Sequence, residues 1–311
     1  MQTNHIPVLL DEVIDYLNPQ PGNVIIDGTL GGGGHTEALA KRVVPGGRVI
    51  GIDRDPKAVE RSQERLKQFG NTIIYAVDSY TGLARIARDA GYQSVDGIVL
   101  DLGLSSDQLD TEGRGFSFKG SAPLDMRYGV GDVTARDLVN ECSEQELTRI
   151  FREYGDERFA SRIARHIAQQ RTLAPIETTD ELVAIIDEAY RGKPRPRTIH
   201  FATKVFQALR IAVNDEFGAV RTVIPEAISL LKPGGRLAII TFHSGEDEIV
   251  KNLFRMEAKG CLCPPRLPVC VCGHVPRVTL ITKKAVKATD QEQRENPRSR
   301  SAQLRVVEKK P

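Results

Sequence analysis

The stretch NVIIDGTLGGGGHTEALAKRV, residues 23–43, sets a β-branched apolar run against an aspartate, four successive glycines and a helix-like segment. Glycine gives up more backbone freedom on folding than any other residue, so Gly31, Gly32, Gly33 and Gly34 in a row need a reason. A turn of bare main chain between a strand and the helix behind it supplies one, because a ligand can approach closely there. Outward from this turn the same unit recurs. RVIGID (48–53) is followed by PKAVERSQERLKQF, TIIYAV (72–77) by TGLARIARDA, and VDGIVLD (95–101) closes the series. Strands that are apolar throughout and alternate with helices predict a parallel sheet covered on both faces. The expected class is α/β, doubly wound and mostly parallel.

After Asp101 the rhythm stops. DVTARDLVN, SEQELTRIFREYG, DERFASRIARHIAQQ and TTDELVAIIDEAY carry apolar residues at helical spacing, with no good strand among them. Long helical material from Thr198 ends at the Pro-Gly-Gly of residues 233–235. Strand patterns then resume in RLAIITF, with a helix over GEDEIVKNLFRM and two late strands, RVTLITKK and AQLRVVE. The expected organisation is a sheet domain of residues 1–107 and 201–311, interrupted by a helical domain of residues 108–200. No internal repeat is visible, and the polar tract ATDQEQRENPRSRS reads as a loop or mobile arm.

Composition fits an ordinary globular chain: 311 residues, 40% apolar and 27% charged. No run approaches the ~18 apolar residues of a membrane span. MQTNHIPVLLDEVIDYL lacks a basic n-region and carries Asp11, Glu12 and Asp15, so no signal peptide is expected and the cytoplasm is the expected location. Pro7 with Val8, Leu9, Val13, Ile14 and Leu17 predicts a short amphipathic helix. The net charge of +2 hides an asymmetry. Residues 255–311 hold 13 Lys/Arg against 5 Asp/Glu, leaving 30 against 36 in the rest. A basic segment on an acidic body suits a polyanion partner, and a solvated tail equally. Three basic features stand out: Arg158, Arg162 and Arg165 at helical spacing, RGKPRPR (191–197), and NPRSRS with Asn296, Arg298 and Arg300.

The ligand can be narrowed. Asp53 ends the second strand 22 residues after Gly31, the place of an acid that holds ribose hydroxyls. The dinucleotide fingerprint fails, since counting from Gly31 gives Gly33 and then Thr36. Asp27-x-x-x-Gly31-x-Gly33 is instead similar to the first motif of S-adenosylmethionine-dependent methyltransferases. That ligand has a ribose for Asp53 and a zwitterionic tail for the turn. The competing reading is a tight strand-to-helix connection and no more. Tyr80 follows the third strand, where an aromatic packs on adenine or near a sulfonium. Asp101 ends the fourth strand, beside the expected crevice.

Further blocks fall into one pattern. DGTLGGGGHT, IDRDP, LDLGLSSDQLD, RGFSF, PLDMR, FQALRIAVNDE, LKPGGRLAIITFHSGEDEIVK and NPRSRSAQLRV occur in this order. From His5 to Arg305 the chain resembles the RsmH (MraW) family, bacterial methyltransferases that modify the N4 amino group of a cytosine in the decoding region of 16S ribosomal RNA. The resemblance implies a Rossmann-like methyltransferase sheet with a helical domain inserted after strand four for RNA recognition. It implies S-adenosylmethionine as cofactor, with Gly33, Gly34 and His35 at the methionine portion and Asp53 at the ribose. Tyr80, Asp101 and Gln108 would complete the pocket. The family usually has phenylalanine at the position of Tyr80, and some members have arginine at that of Gly32.

On this reading Asp101 is also the catalytic candidate, accepting hydrogen bonds from the base amine. Phe116, Phe118 or Phe242 would stack on the target base. Arg127, His243, Asn296 and Arg298 are the substrate-side candidates. The partner would be 16S rRNA within the small ribosomal subunit; no membrane is involved, and a homodimer is allowed although no interface for it is visible. The alternative is methylation of another RNA base amine or of a small molecule. Transfer to carbon 5 would need a cysteine nucleophile, and none of the five cysteines ends a strand near the pocket. Cys142 is expected in the core. Cys261, Cys263, Cys270 and Cys272, with His274 nearby, are donor types suited to zinc. Their pairs stand one residue apart instead of two or more, so no metal is assigned, and a reduced loop is expected.

Overall fold

The computed structural model describes residues 7–103, 113–117, 120–129, 133–196, 199–264, 269 and 271–311. Gln108, Phe118, Arg197 and Cys270 lie outside the described residues. From the N-terminus the order is α1 (Leu10–Leu17), β1 (Val24–Asp27), α2 (Gly34–Val43), β2 (Arg48–Asp53), α3 (Pro56–Arg65), β3 (Ile73–Val77), α4 (Leu83–Asp89) and β4 (Val95–Asp101). Then come α5 (Ala135–Glu141), α6 (Glu144–Glu153), α7 (Ala160–Gln170), α8 (Thr179–Ala189) and α9 (Thr203–Asn214). The chain continues through α10 (Glu216–Leu230), β5 (Leu231–Thr241), α11 (Ser244–Ala258), β6 (Val278–Leu280), β7 (Val286–Lys287), α12 (Asp290–Glu295) and β8 (Gln303–Lys309).

Two compact units result: residues 1–103 with 217–311, and residues 104–216. The return to the first unit therefore lies at 217, later than the expected 201. The reason is α9, whose Val205, Phe206, Ala208 and Leu209 are buried in the core of the second unit. Helical periodicity shows that such a helix exists, but not which core receives its apolar face.

The first unit holds an eight-stranded sheet in the order β3-β2-β1-β4-β5-β8-β6, with β7 on β8. β3, β2, β1, β4 and β5 run parallel, and β8 is antiparallel to β5, β6 and β7. Alternate residues serve opposite faces. Ile26, Ile50, Ile98 and Ile239 pack with residues of α4, α10 and α11 such as Ile86, Ile224 and Phe254. Ile25, Val49, Val99 and Ile240 pack instead with Val13 and Ile14 of α1 and Leu39 of α2. Both faces are dry, which explains why the strands read as unbroken apolar runs. Full burial of each such side chain stabilises by roughly 1.5–3 kcal/mol. β1 and β4 are neighbours, so the strand order reverses between them and the crevice opens at the ends of these two strands.

The second unit has its own core, built on Phe151, Ile163, Ile167, Leu182, Ile186 and Leu209. Its helices α5 and α6 start at sequence-encoded caps. Thr134 with Asp137 and Ser143 with Glu146 form capping boxes that satisfy the first N–H groups of α5 and α6.

Three local expectations differ. The polar tract after Lys287 is ordered as α12 and a 3-10 turn over Pro297–Ser301, because Thr289 accepts from the Glu292 N–H and caps the helix. The N-terminal helix begins at Leu10, behind a left-handed Leu9, and not at Pro7. Arg158 precedes α7, so only Arg162 and Arg165 share that helix. Among the described residues, no helix is long and apolar enough to cross a membrane.

Candidate active site at the strand ends

Asp27, Asp53 and Asp101 are the last residues of β1, β2 and β4, and the sheet order places all three along one edge of the first unit. The glycine turn hangs between them. Asp53 Oδ2 accepts the Gly31 N–H at 2.8 Å, and its Oδ1 accepts the Asp55 N–H at 2.9 Å. Burial raises the Asp53 carboxyl above its usual range, and these two N–H bonds pull the other way. Each carboxylate oxygen has a second lone pair, so the group can still receive ribose hydroxyls.

The glycines divide by cause. Gly31 (φ +48°) and Gly33 (φ +76°) occupy the left-handed region, where a side chain is strained. A Cβ on Gly33 would stand 2.9 Å from Leu66 Cδ1, and one on Gly34 only 2.2 Å from Pro7 Cγ. Two of the four are thus required by the protein's own close packing, besides any ligand. The turn carbonyls are tied down as well: Ser62 Oγ donates to Gly31 O at 2.8 Å, and Arg65 Nη1 donates to Gly32 O. Gly33 then opens α2 with no side-chain cap, which leaves the first N–H groups of the helix to a ligand carboxylate.

Side chains behind the turn form one network. Thr36 Oγ1 donates to Asp27 Oδ2 at 2.7 Å. The Thr29 N–H donates to Asp27 Oδ1 at 3.2 Å, and Thr29 Oγ1 accepts the Asp101 N–H at 2.7 Å. His35 is buried, with Nε2 3.1 Å from the Val8 carbonyl. Its side chain therefore fastens the N-terminal segment. Tyr80 begins a 3-10 turn after β3, and its Cβ lies 3.2 Å from where a Gly28 Cβ would be. The Arg54 guanidinium lies 5.9 Å from the Tyr80 ring centroid.

Asp101 is the anomaly of the site. Its Oδ1 is sealed from solvent and has no hydrogen-bond partner among the described residues. A buried polar atom without a partner costs about 1–3 kcal/mol, more when charged. Burial pushes the carboxyl up to about 7, with Asp27 and Glu246 adding to the rise and His35 opposing it. Such a group waits for a donor that the described residues do not supply.

Glu246 is the residue that sequence reasoning missed. It is buried in the first turn of α11. Its Oε2 accepts the Phe242 N–H at 3.1 Å, and its Oε1 lies 3.1 Å from His243 Nε2. His243 caps the same helix, Nδ1 accepting the Glu246 N–H at 3.4 Å. The signal was a cap-x-x-Glu spacing in HSGE, with histidine where a hydroxyl residue usually stands. Gly28 also went unassigned; a Cβ there would come within 2.4 Å of Leu100 Cδ2.

The remaining candidates scatter. Arg127, in the second unit, is held by Asp125 through Nε at 2.7 Å and Nη2 at 2.8 Å. Asn296 is buried, and its carbonyl accepts from Ser299, so it shapes the turn that displays Arg298 and Arg300 on the surface. Phe116 is buried in the second core, stacked on Tyr128 at 5.7 Å. Phe242 is partly buried beside the first core. Cys142 packs against the second core, and burial raises its thiol.

The donor set therefore suits a nucleoside with a charged tail: a carboxylate for ribose, a half-buried aromatic, an uncapped helix start and a dry acid. Comparison with known proteins agrees. The profile of the MraW methylase family matches residues 2–310. A protein of Pelobacter propionicus named Ribosomal RNA small subunit methyltransferase H is 51% identical, covering 98% of each chain. Proteins of that name from Geobacter sulfurreducens and Heliobacterium modesticaldum are 50% and 48% identical, over 99% of this chain and 100% and 99% of theirs. A match of this extent leaves no segment of consequence unaccounted for, and the chain belongs to the MraW methylase family.

Proposed function

We propose that the protein is an S-adenosylmethionine-dependent methyltransferase of small-subunit (16S) ribosomal RNA, and that its acceptor is the N4 amino group of a cytosine in the decoding region. The observation that carries the chemistry is Asp101 Oδ1, sealed from solvent and without a partner among the described residues at the end of β4. The site and its roles follow from it. Gly33, Gly34 and His35 meet the methionine portion through main chain, Asp53 takes the ribose, and Tyr80 packs on the adenine. Gln108 belongs to the same set by sequence. Bound S-adenosylmethionine supplies an electrophilic methyl carbon.

The cytosine amine is a weak nucleophile because its lone pair is delocalised into the ring. Ionised Asp101 accepts one amine N–H, which draws the nitrogen toward tetrahedral geometry. As the nitrogen–carbon bond formed, the methyl–sulfur bond would break with its electron pair staying on sulfur, and Asp101 would take the proton that the nitrogen sheds. A carboxyl with a pKa near 7 is matched to that task. The rest is positioning, which holds nitrogen and methyl in line. The base must leave its stack to enter the crevice. His243, Arg127, Asn296 and Arg298 serve the RNA side, the last through phosphate. The second unit, residues 104–216, recognises RNA, and the protein works in the cytoplasm on the small subunit, alone or as a homodimer.

The test is direct. The purified protein with methyl-labelled cofactor should label ribosomal RNA or small subunits, and nucleoside mass spectrometry should show N4-methylcytidine. Label on carbon 5 alone, or only on soluble metabolites, overturns the assignment. Among the described residues no cysteine ends a strand, which favours nitrogen over carbon 5 as acceptor.

A further inference from the structure

Residues 259–277 join α11 to β6, and the described ones include no helix, no strand and no buried residue. Leu262, Val269, Val271 and Val275 are exposed, Val271 at 75%, so no apolar core holds this loop. Its neck is closed. Arg277 grips Glu257 through Nε and Nη2, both at 2.6 Å, and the Arg277 N–H donates to the Glu257 carbonyl at 2.9 Å. Beyond the neck three thiols of the described residues converge. The sulfurs of Cys261, Cys263 and Cys272 all lie within 4.8 Å of one another, Cys261 and Cys272 at 3.8 Å, and none is in a disulfide. Three main-chain N–H groups point at them. Leu262 donates to Cys272, Val271 to Cys263, and Cys263 to Cys261, each at 3.4 Å.

We propose that Cys261, Cys263 and Cys272 bind a zinc ion that organises this loop. Zinc–sulfur bonds of about 2.3 Å in a tetrahedron set sulfur–sulfur edges of about 3.8 Å, and the Cys261–Cys272 separation is 3.8 Å. A thiol is a weak donor and weak acceptor, so neutral thiols gain little by gathering on a surface loop. Thiolates around a dication gain much, and N–H groups aimed at the sulfurs are the outer contacts that metal-bound thiolates take. The one-residue spacing within each pair is no obstacle here. Among the described residues the site draws both sulfurs from the first pair and Cys272 from the second, Cys270 lying outside them. Binding releases the three thiol protons and leaves one coordination position for a further donor. His274 is outside the thiol group, and its Nε2 lies 3.1 Å from the Met256 carbonyl.

The experiment uses the full, untagged chain purified under reducing conditions without chelator. Elemental analysis should find about one zinc per chain, released by a mercurial. Cobalt substitution should give a thiolate-to-cobalt charge-transfer band and the intense visible bands of a tetrahedral site. Cys261→Ser and Cys272→Ser should each lose the metal while keeping the far-ultraviolet circular dichroism and cofactor affinity of the parent. The proposal is overturned by reduced protein that, offered excess zinc, retains well under one ion per chain. It is equally overturned by the pale spectrum of six-coordinate cobalt, by iron–sulfur absorption, or by a Cys261–Cys272 disulfide in freshly lysed cells.

Discussion

At the scale of one residue, Asp101 ties function to stability. Only the carboxylate can accept the amine proton, so the methylation rate should rise with pH up to about 7 and level off above it. Asp101→Asn should lower kcat by roughly 10²–10³-fold and flatten that profile; rates measured from pH 6 to 8.5 decide it, and an unchanged slope in the variant removes Asp101 from the chemistry. The same group costs stability. An acid whose folded pKa exceeds its unfolded value near 3.9 binds a proton on folding between the two. Stability then falls as pH rises from about 4 to about 7, and Asp101→Asn relieves the loss. The variant should gain on the parent across that window, by at most about 4 kcal/mol, read from denaturant midpoints at pH 4.5 and 8. Asp53 makes a contrasting case. Asp53→Ala removes the acceptor of the Gly31 N–H as well as the proposed ribose contact. Cofactor affinity should drop by ~10–100-fold with RNA affinity little changed; equal losses on calorimetry would count against the assigned role.

At the scale of the element, the glycine turn shows how packing and ligand access share a sequence. Gly34 sits where Pro7 closes over the start of α2. Gly34→Ala should therefore destabilise by about 1–3 kcal/mol, the cost of overpacking a filled site. It should also loosen the segment that His35 holds through the Val8 carbonyl, which faster amide exchange at residues 8–10 would register. Exchange and midpoint both unchanged would mean that Pro7 does not close on the helix. The strand–turn–helix pattern of β1 to β4 and the places of Asp53 and Asp101 at strand ends were readable from residues 23–101. In that region every strand is apolar on both faces and each helix follows its strand directly, so local pattern and tertiary position coincide. Elsewhere they part. α9 is plainly a helix by period, but its core partner depends on contacts far along the chain. α12 hides in a polar tract because its cap, Thr289 with Glu292, is a local bond and not a hydrophobic signal. Glu246 escaped notice because a buried carboxylate beside a histidine cap leaves no periodic trace. The convergence of three thiols depends on a fold-back of the loop that Cys-x-Cys spacing alone does not reveal.

At the scale of the whole molecule, the question is which cations are available to RNA. Most of the basic features are already engaged. Arg165 lies 3.8 Å from Glu144, Arg191 2.5 Å from Glu188, and Arg195 is paired with Asp187. Exposed pairs of this kind contribute about 0–1 kcal/mol each, so a phosphate can displace the carboxylate, but the gain is reduced by what is given up. Among the described residues, Lys193 in the second unit and Arg300 in the first are exposed cations outside any ion pair. Each should therefore contribute a full phosphate contact. Lys193→Gln and Arg300→Gln should each reduce the slope of log affinity for ribosomal RNA against log salt by about 0.7–0.9, and the double variant by the sum, with cofactor affinity untouched. Arg195→Gln should change the slope less, since its loss also frees Asp187. If all three slopes match the parent, Lys193, Arg195 and Arg300 are solvated surface, and the phosphate contacts must rest on other cations.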